Sequence, residues 1–181
     1  YYHHYIASGN YSSSSMFTHL GYTFNELANK TWGIVGMGEI GQKVASIASA
    51  FDCNVQYYST SGKNNHQAYK QVDFDTLLKT SDIISIHAPL NKQTENLFNH
   101  DAFIKMKPSA YLINVGRGKI VNEKDLVEAL KNYQLAGAGL DVFENEPFND
   151  DSPLLQINDA TKLIMTPHIA WAPVEKIGRA H

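Results

Sequence analysis

Two periods of hydrophobic and polar residues alternate along this chain. Short, β-prone apolar runs occur at Thr31–Val35, Val55–Tyr58, Ile83–His87, Tyr111–Val115, Ala136–Asp141 and Lys162–Thr166. Segments with the 3.6-residue period of an amphipathic helix lie between them, at Ile40–Phe51, Phe74–Thr80, His100–Met106 and Glu123–Lys131. Asn99 and Asn122 stand where helix N-caps belong, and Pro108 follows the third helix. Strands alternating with helices predict an α/β fold, a doubly wound parallel sheet with helices on both faces. Before this region, Tyr1–Ser8 reads as the end of a helix closed by Gly9, and Tyr11–Gly21 carries a serine run typical of loop or arm.

The first strand leads directly into Gly36-x-Gly38-x-x-Gly41 and then into a helix, which is the context that gives a glycine motif meaning. Gly36 permits the tight turn, Gly38 lets the backbone approach a pyrophosphate, and Gly41 lets helix and strand pack closely. The helix N-terminus at Glu39 and Ile40 offers unpaired N–H groups to phosphates. The fold expected is therefore of Rossmann type. Ligands of such sheets bind beyond the carboxyl ends of the strands. Gly36, Ser59, His87, Arg117, Asp141 and His168 all fall at or just past a predicted strand end.

Composition narrows the classes. The chain is 43% hydrophobic and 18% charged, with a net charge of −3 and no long basic run, which argues against a nucleic-acid or anionic-membrane partner. No apolar stretch approaches the roughly 20 residues that span a bilayer. Cys53 is the one cysteine, so no intrachain disulfide forms, which suits a reducing, cytoplasmic setting. His3, His4, His19, His66, His100 and His181 show no ligand spacing, and no metal site is expected.

Three further segments complete a pattern: Ile113–Gly118 (INVGRG), Gly139–Pro147 (GLDVFENEP) and Thr166–Trp171 (TPHIAW). In this order with GMGEIG they resemble the NAD-dependent D-isomer-specific 2-hydroxyacid dehydrogenases. The resemblance covers the cofactor-binding half of such enzymes. It implies that residues 1–21 are a helix tail and Ser-rich arm arriving from a substrate domain, that 22–172 form the dinucleotide-binding domain, and that 173–181 begin a truncated C-terminal helix. The chain then reads as a fragment of a two-domain enzyme, with the arm contributing to a homodimer.

By the same resemblance, Arg117 holds the carboxylate of a small 2-oxo or 2-hydroxy acid, a task its planar fork suits. His168 is the general acid/base, since imidazole titrates near working pH. Glu146 hydrogen-bonds that histidine, with Glu144 as the neighbour it could be confused with in an acidic loop that also holds Asp150 and Asp151. Asp141 sits beside the nicotinamide. His87, Ala88, Pro89, Val115 and Gly116 line the cofactor, although a packing role suits His87 equally. Trp171 borders the substrate pocket or packs in the core.

One position departs from the pattern. NAD-specific members carry an acid at the end of the second strand, about 20 residues past the glycines, to bind the ribose hydroxyls. Ser59 stands there, followed by Thr60 and Lys63, so the cofactor is expected to be NAD(H) or NADP(H), with a leaning toward the phosphorylated form. The reaction implied is hydride transfer between NAD(P)H and a 2-oxo acid, giving a D-2-hydroxy acid. PHIAW resembles the hydroxypyruvate and glyoxylate reductase (glycerate dehydrogenase) branch. D-lactate and phosphite dehydrogenases of the same family, and an NAD(H)-sensitive corepressor-like binding protein, are the alternatives. A methyltransferase leaves NVGRG and PHIAW unexplained.

Overall fold

A computed structural model describes residues 1–63 and 68–172. The segment expected to begin a C-terminal helix, 173–181, lies outside the described residues, as do His66 and His181. In chain order the elements are α1 (Tyr2–Ala7), β1 (Thr31–Val35), α2 (Glu39–Ala50), β2 (Asn54–Tyr58), β3 (Lys70–Gln71), α3 (Phe74–Thr80), β4 (Ile83–Ile86), α4 (His100–Phe103), β5 (Tyr111–Asn114), α5 (Glu123–Lys131), β6 (Gly137–Leu140) and β7 (Leu163–Met165), with short 3-10 turns at Gly118–Ile120 and Pro153–Gln156. The strands form one parallel, seven-stranded sheet ordered β3-β2-β1-β4-β5-β6-β7.

The order reverses at β1, and right-handed crossovers leaving β1 in opposite directions must lie on opposite faces. Neighbouring residues of β1 record this. Ile34 packs with Met37, Ala45 and Tyr57 under α2, whereas Val35 joins the larger core with Leu77, Phe103, Leu126 and Leu130 under α3, α4 and α5. The helix starts are fixed by side-chain caps. Asp73, Asn99 and Asn122 accept from the N–H groups of Thr76, Ala102 and Asp125.

Three sequence expectations need adjusting. β3 was not foreseen, because two exposed polar residues carry no hydrophobic period. The helix expected over His100–Met106 ends at Phe103 and tightens into i→i+3 turns, Lys105 N–H to Ala102 and Met106 N–H to Phe103, ahead of Pro108. The predicted strand ends at His87, Asp141 and Thr166 lie just outside the ladder, although each keeps one bond from its N–H to the neighbouring strand.

Helices cover the two faces unequally. On its face α2 packs chiefly on β1 and β2. A groove of about 410 Å³ lies open beside it, lined by Leu27, Trp32, Ile83, Tyr111, Ile113 and Ile164 among others. Residues 16–24 also expose Phe17, Leu20 and Phe24, while Tyr5 and His19 stack with ring centroids 3.9 Å apart. Among the described residues no helix is long and apolar enough to cross a membrane.

Candidate active site

The β1–α2 turn is built for a close backbone approach. Gly36 has φ of 93°, a conformation side-chain-bearing residues rarely adopt, and a Cβ there would lie 2.8 Å from Ala88 N in the loop after β4. A Cβ on Gly41 would lie 2.2 Å from the Gly36 carbonyl oxygen, so the first turn of α2 passes over the end of β1 only because Gly41 lacks one. At Gly38, the N-cap of α2, a Cβ would meet nothing within 4 Å. No side chain caps that helix, leaving its first N–H groups free for an anion. This cradle fits a dinucleotide pyrophosphate.

Beside the cradle is a cleft of about 500 Å³, lined by Ile40, His87, Ala88, Pro89, Val115, Gly116, Arg117, Asp141, His168, Ala170 and Trp171. Loops after four different strands therefore meet at one opening. Thr94 anchors one wall, its hydroxyl donating to Pro89 O at 2.7 Å. Burial pushes His87 down to a pKa of about 4, and its Nε2 lies 3.0 Å from Ser85 Oγ, which accepts from Trp32 Nε1. His87 is thus a neutral wall residue. Trp171 is 58% exposed at the rim rather than packed in the core.

Arg117 is set by Asn114, whose fully buried side chain accepts from Gly116 N–H at 3.1 Å and donates to Arg117 O at 3.0 Å. The guanidinium donates to Gly116 O, and among the described residues no ion pair holds it. His168 has φ of 55°, and its N–H donates to Thr166 O at 3.0 Å. Non-glycine residues in this region are uncommon and gather at functional sites. Its Nδ1 lies 2.6 Å from Glu146 Oε2, while Glu146 Oε1 accepts from Phe143 N–H at 2.9 Å. A neutral imidazole placed so donates from Nδ1, which leaves Nε2 as a base or, when protonated, an acid. Burial raises the Glu146 carboxyl, but the Phe143 and His168 hydrogen bonds and the His168 and Arg117 charges outweigh it and hold the group below its ordinary value.

Glu144 is not the residue on His168. It accepts from Glu123 N–H at 2.8 Å, and Glu144 N–H in turn donates to Glu123 Oε1 at 2.7 Å. Asp141, nearly fully buried, spends its carboxylate on the loop that carries His168: Oδ1 accepts from Thr166 Oγ1 at 2.6 Å and Ile169 N–H at 2.9 Å, and Oδ2 from Ala170 N–H at 2.9 Å. Burial raises its pKa, yet these three bonds and the His168 charge bring it below the ordinary aspartate value. A separate apolar cavity of about 330 Å³ borders the Glu146–His168 pair, between Phe143, Pro147, Phe148 and Pro167.

The second-strand end holds Ser59, whose buried hydroxyl has no hydrogen-bond partner among the described residues. Thr60 is half-buried and Lys63 exposed. Sequence reasoning overlooked Asn114, Thr166 and the Glu123–Glu144 pair. Asn114 inside INVGRG carried a usable signal, since a polar residue in a buried strand must find partners. The glutamates, 21 residues apart, carried none.

Residues 1–170 match the family model for the D-isomer specific 2-hydroxyacid dehydrogenase, NAD binding domain. Among curated relatives, the chain is 44% identical over 154 residues to glyoxylate reductase from Thermofilum pendens, covering 83% of this chain and 44% of that protein. It is 39% identical to hydroxypyruvate reductase from Blautia hydrogenotrophica, over 94% of this chain and 52% of the relative. Its fold is similar to that of D-lactate dehydrogenase from Aquifex aeolicus complexed with NAD and lactic acid, with a TM-score of 0.85, 30% identity, and coverage of 98% of this chain and 56% of that one. The chain thus spans about half the length of these relatives. With the glycine cradle and the strand-end cleft, these matches establish that the chain belongs to the D-isomer specific 2-hydroxyacid dehydrogenase family, as its NAD-binding domain.

Proposed function

We propose that the protein to which this domain belongs moves hydride between NAD(P)H and a small 2-oxo acid to give a D-2-hydroxy acid, with hydroxypyruvate or glyoxylate as the favoured substrate. The observation that carries this reading is the 2.6 Å His168–Glu146 pair, placed with Arg117 at one opening beside the glycine cradle. Relatives named glyoxylate reductase and hydroxypyruvate reductase support the substrate class.

Gly36, Gly38 and Gly41 hold the pyrophosphate over α2, and the loop from His87 to Pro89 with Val115, Gly116 and Asp141 walls the nicotinamide end. Bound there, the cofactor supplies the hydride. Arg117 binds the substrate carboxylate in bidentate fashion and orients the carbonyl. His168 Nε2 gives its proton to the carbonyl oxygen as the carbon is reduced, and takes it back in reverse. Glu146 orients the ring through its bond to Nδ1. Trp171 borders the acid. Ser59, lacking the carboxylate that would repel a 2′-phosphate, and the Lys63 cation favour use of NADPH beside NADH. The exposed apolar residues among 16–24 and the open groove over Ile113 and Ile164 support a homodimer in which residues 1–21 reach across from the substrate domain, and the single cysteine suits a cytoplasmic setting.

The test follows NADH and NADPH oxidation by the full-length enzyme with hydroxypyruvate, glyoxylate, pyruvate and a bulkier 2-oxo acid. Turnover with the first two is expected, abolished in His168→Ala while dinucleotide binding survives. Near-normal turnover in that variant, or none in the wild type with any 2-oxo acid, overturns the reading. A preference for pyruvate would favour the second reading, a D-lactate dehydrogenase, which the likeness to the Aquifex aeolicus fold supports.

A further inference from the structure

The Arg117 turn and the Glu146 loop come from different strands, yet the proposed chemistry needs them in fixed register. Two contacts join them. At Gly118 a Cβ would lie 1.8 Å from the carbonyl carbon and oxygen of Phe143, so the turn after Arg117 presses directly on the backbone of the Glu146 loop. A few residues on, Glu123 opens α5, and its N–H donates to Glu144 Oε1 at 2.8 Å while Glu144 N–H donates to Glu123 Oε1 at 2.7 Å. We propose, resting on the functional reading above, that Glu123 and Glu144 are positioning residues of the active site, their reciprocal carboxylate-to-backbone pair locking the loop of Glu146 to the turn of Arg117.

The connection to the chemistry is short. Glu144 follows Phe143, whose N–H holds Glu146 Oε1, and Glu146 Oε2 holds His168. Loss of the pair frees the Phe143–Glu144 backbone, and with it the orientation of Glu146. The choice of residues supports a locating role over a stabilising one. Two carboxylates near each other repel, and Glu123 is buried, so the arrangement persists only because each finds a backbone donor. A single side-chain cap would satisfy one N–H at lower electrostatic cost. The reciprocal pair satisfies both and fixes two loops relative to each other.

Glu123→Ala, which removes the acceptor that holds Glu144 N–H, tests this with two readouts. In this chain, the proton NMR resonance of His168 Nδ1–H, held in its short bond to Glu146, is expected to vanish into exchange. In the full-length enzyme, kcat is expected to fall about tenfold or more with KM for NADH changed less than about twofold, the split expected when only transition-state alignment is lost. Glu123→Gln, whose amide oxygen still accepts from Glu144 N–H, restores both. Where the alanine variant does not fold, Glu123→Asp, one methylene short of reach, carries the same test. An intact resonance with normal kcat, a loss that glutamine fails to rescue, or a lowered melting temperature with the resonance unchanged would overturn the proposal. If the wild type reduces no 2-oxo acid, the functional reading fails, and the NMR measurement still decides the pairing.

Discussion

Asp141→Ala isolates the group that ties β6 to the loop after β7. Its carboxylate accepts three hydrogen bonds, from Thr166 Oγ1, Ile169 N–H and Ala170 N–H, and the substitution removes all of them. A hydrogen bond to a charged group contributes about 1.5–3 kcal/mol, and a buried donor left unpaired costs about 1–3 kcal/mol. These figures do not sum, because the three bonds share one acceptor and Ile169 and Ala170 are exposed enough for water to take their N–H groups. The net loss expected is therefore about 2–3 kcal/mol, near the value of one strong bond plus partial exposure of the rest. For a domain of this size that lowers Tm by roughly 4–12 °C.

The pH dependence follows from the sign of the shift. Asp141 titrates below its unfolded value, so its stabilisation is full above the unfolded pKa of about 3.9 and is lost as pH falls through the folded value. Thermal denaturation by circular dichroism, at neutral pH and at acid pH, reads both effects. The variant and wild type should differ at neutral pH and converge as the solution is acidified, and the amides of Ile169 and Ala170 should exchange faster in the variant. A change below about 0.5 kcal/mol at neutral pH, the range of ordinary surface substitutions, would refute the reasoning.

Gly118→Ala sets a methyl group 1.8 Å from the Phe143 carbonyl, a backbone group that cannot rotate away as a side chain could. A loss of about 3 kcal/mol or more is expected in denaturant titration, the upper range for overpacking, and wild-type stability would contradict the packing described. Ser59→Asp in the full-length enzyme restores a carboxylate at the end of β2. The ratio of NADH to NADPH affinity should rise about tenfold or more, equivalent to about 1.4 kcal/mol, and an unchanged ratio would show that the missing acid does not govern cofactor choice.

The sheet was legible because its strands are buried runs between strong helix signals. Ile34 and Val35, or Ile84 and Ile86, are fully buried and could hardly be placed elsewhere. The elements that escaped have the opposite character. Lys70–Gln71 pairs with β2 through backbone alone, which any sequence supports, and the early end of α4 comes from a proline downstream of residues that favour helix. Helical cover on both faces was expected from strand–helix alternation, but alternation does not say how far each helix reaches. Ile113 and Ile164 face an open groove for that reason.

Within the site, sequence spacing could name an acidic loop but could not rank its members, because Glu144 and Glu146 lie two apart on one short segment. Their fates separate only when the partner elements arrive. Glu146 has His168 opposite it, brought by β7, whereas Glu144 meets the first N–H of α5. Asp141 makes the complementary point. Its position at a strand end marks it as a ligand contact, and it does line the cleft, yet its oxygens are engaged by Thr166, Ile169 and Ala170. A strand-end carboxylate can serve the chemistry by holding the loop that performs it. The backbone of His168, held in the left-handed region between Asp141 on one side and Glu146 on the other, is the clearest sign that the ring's position is what both carboxylates fix.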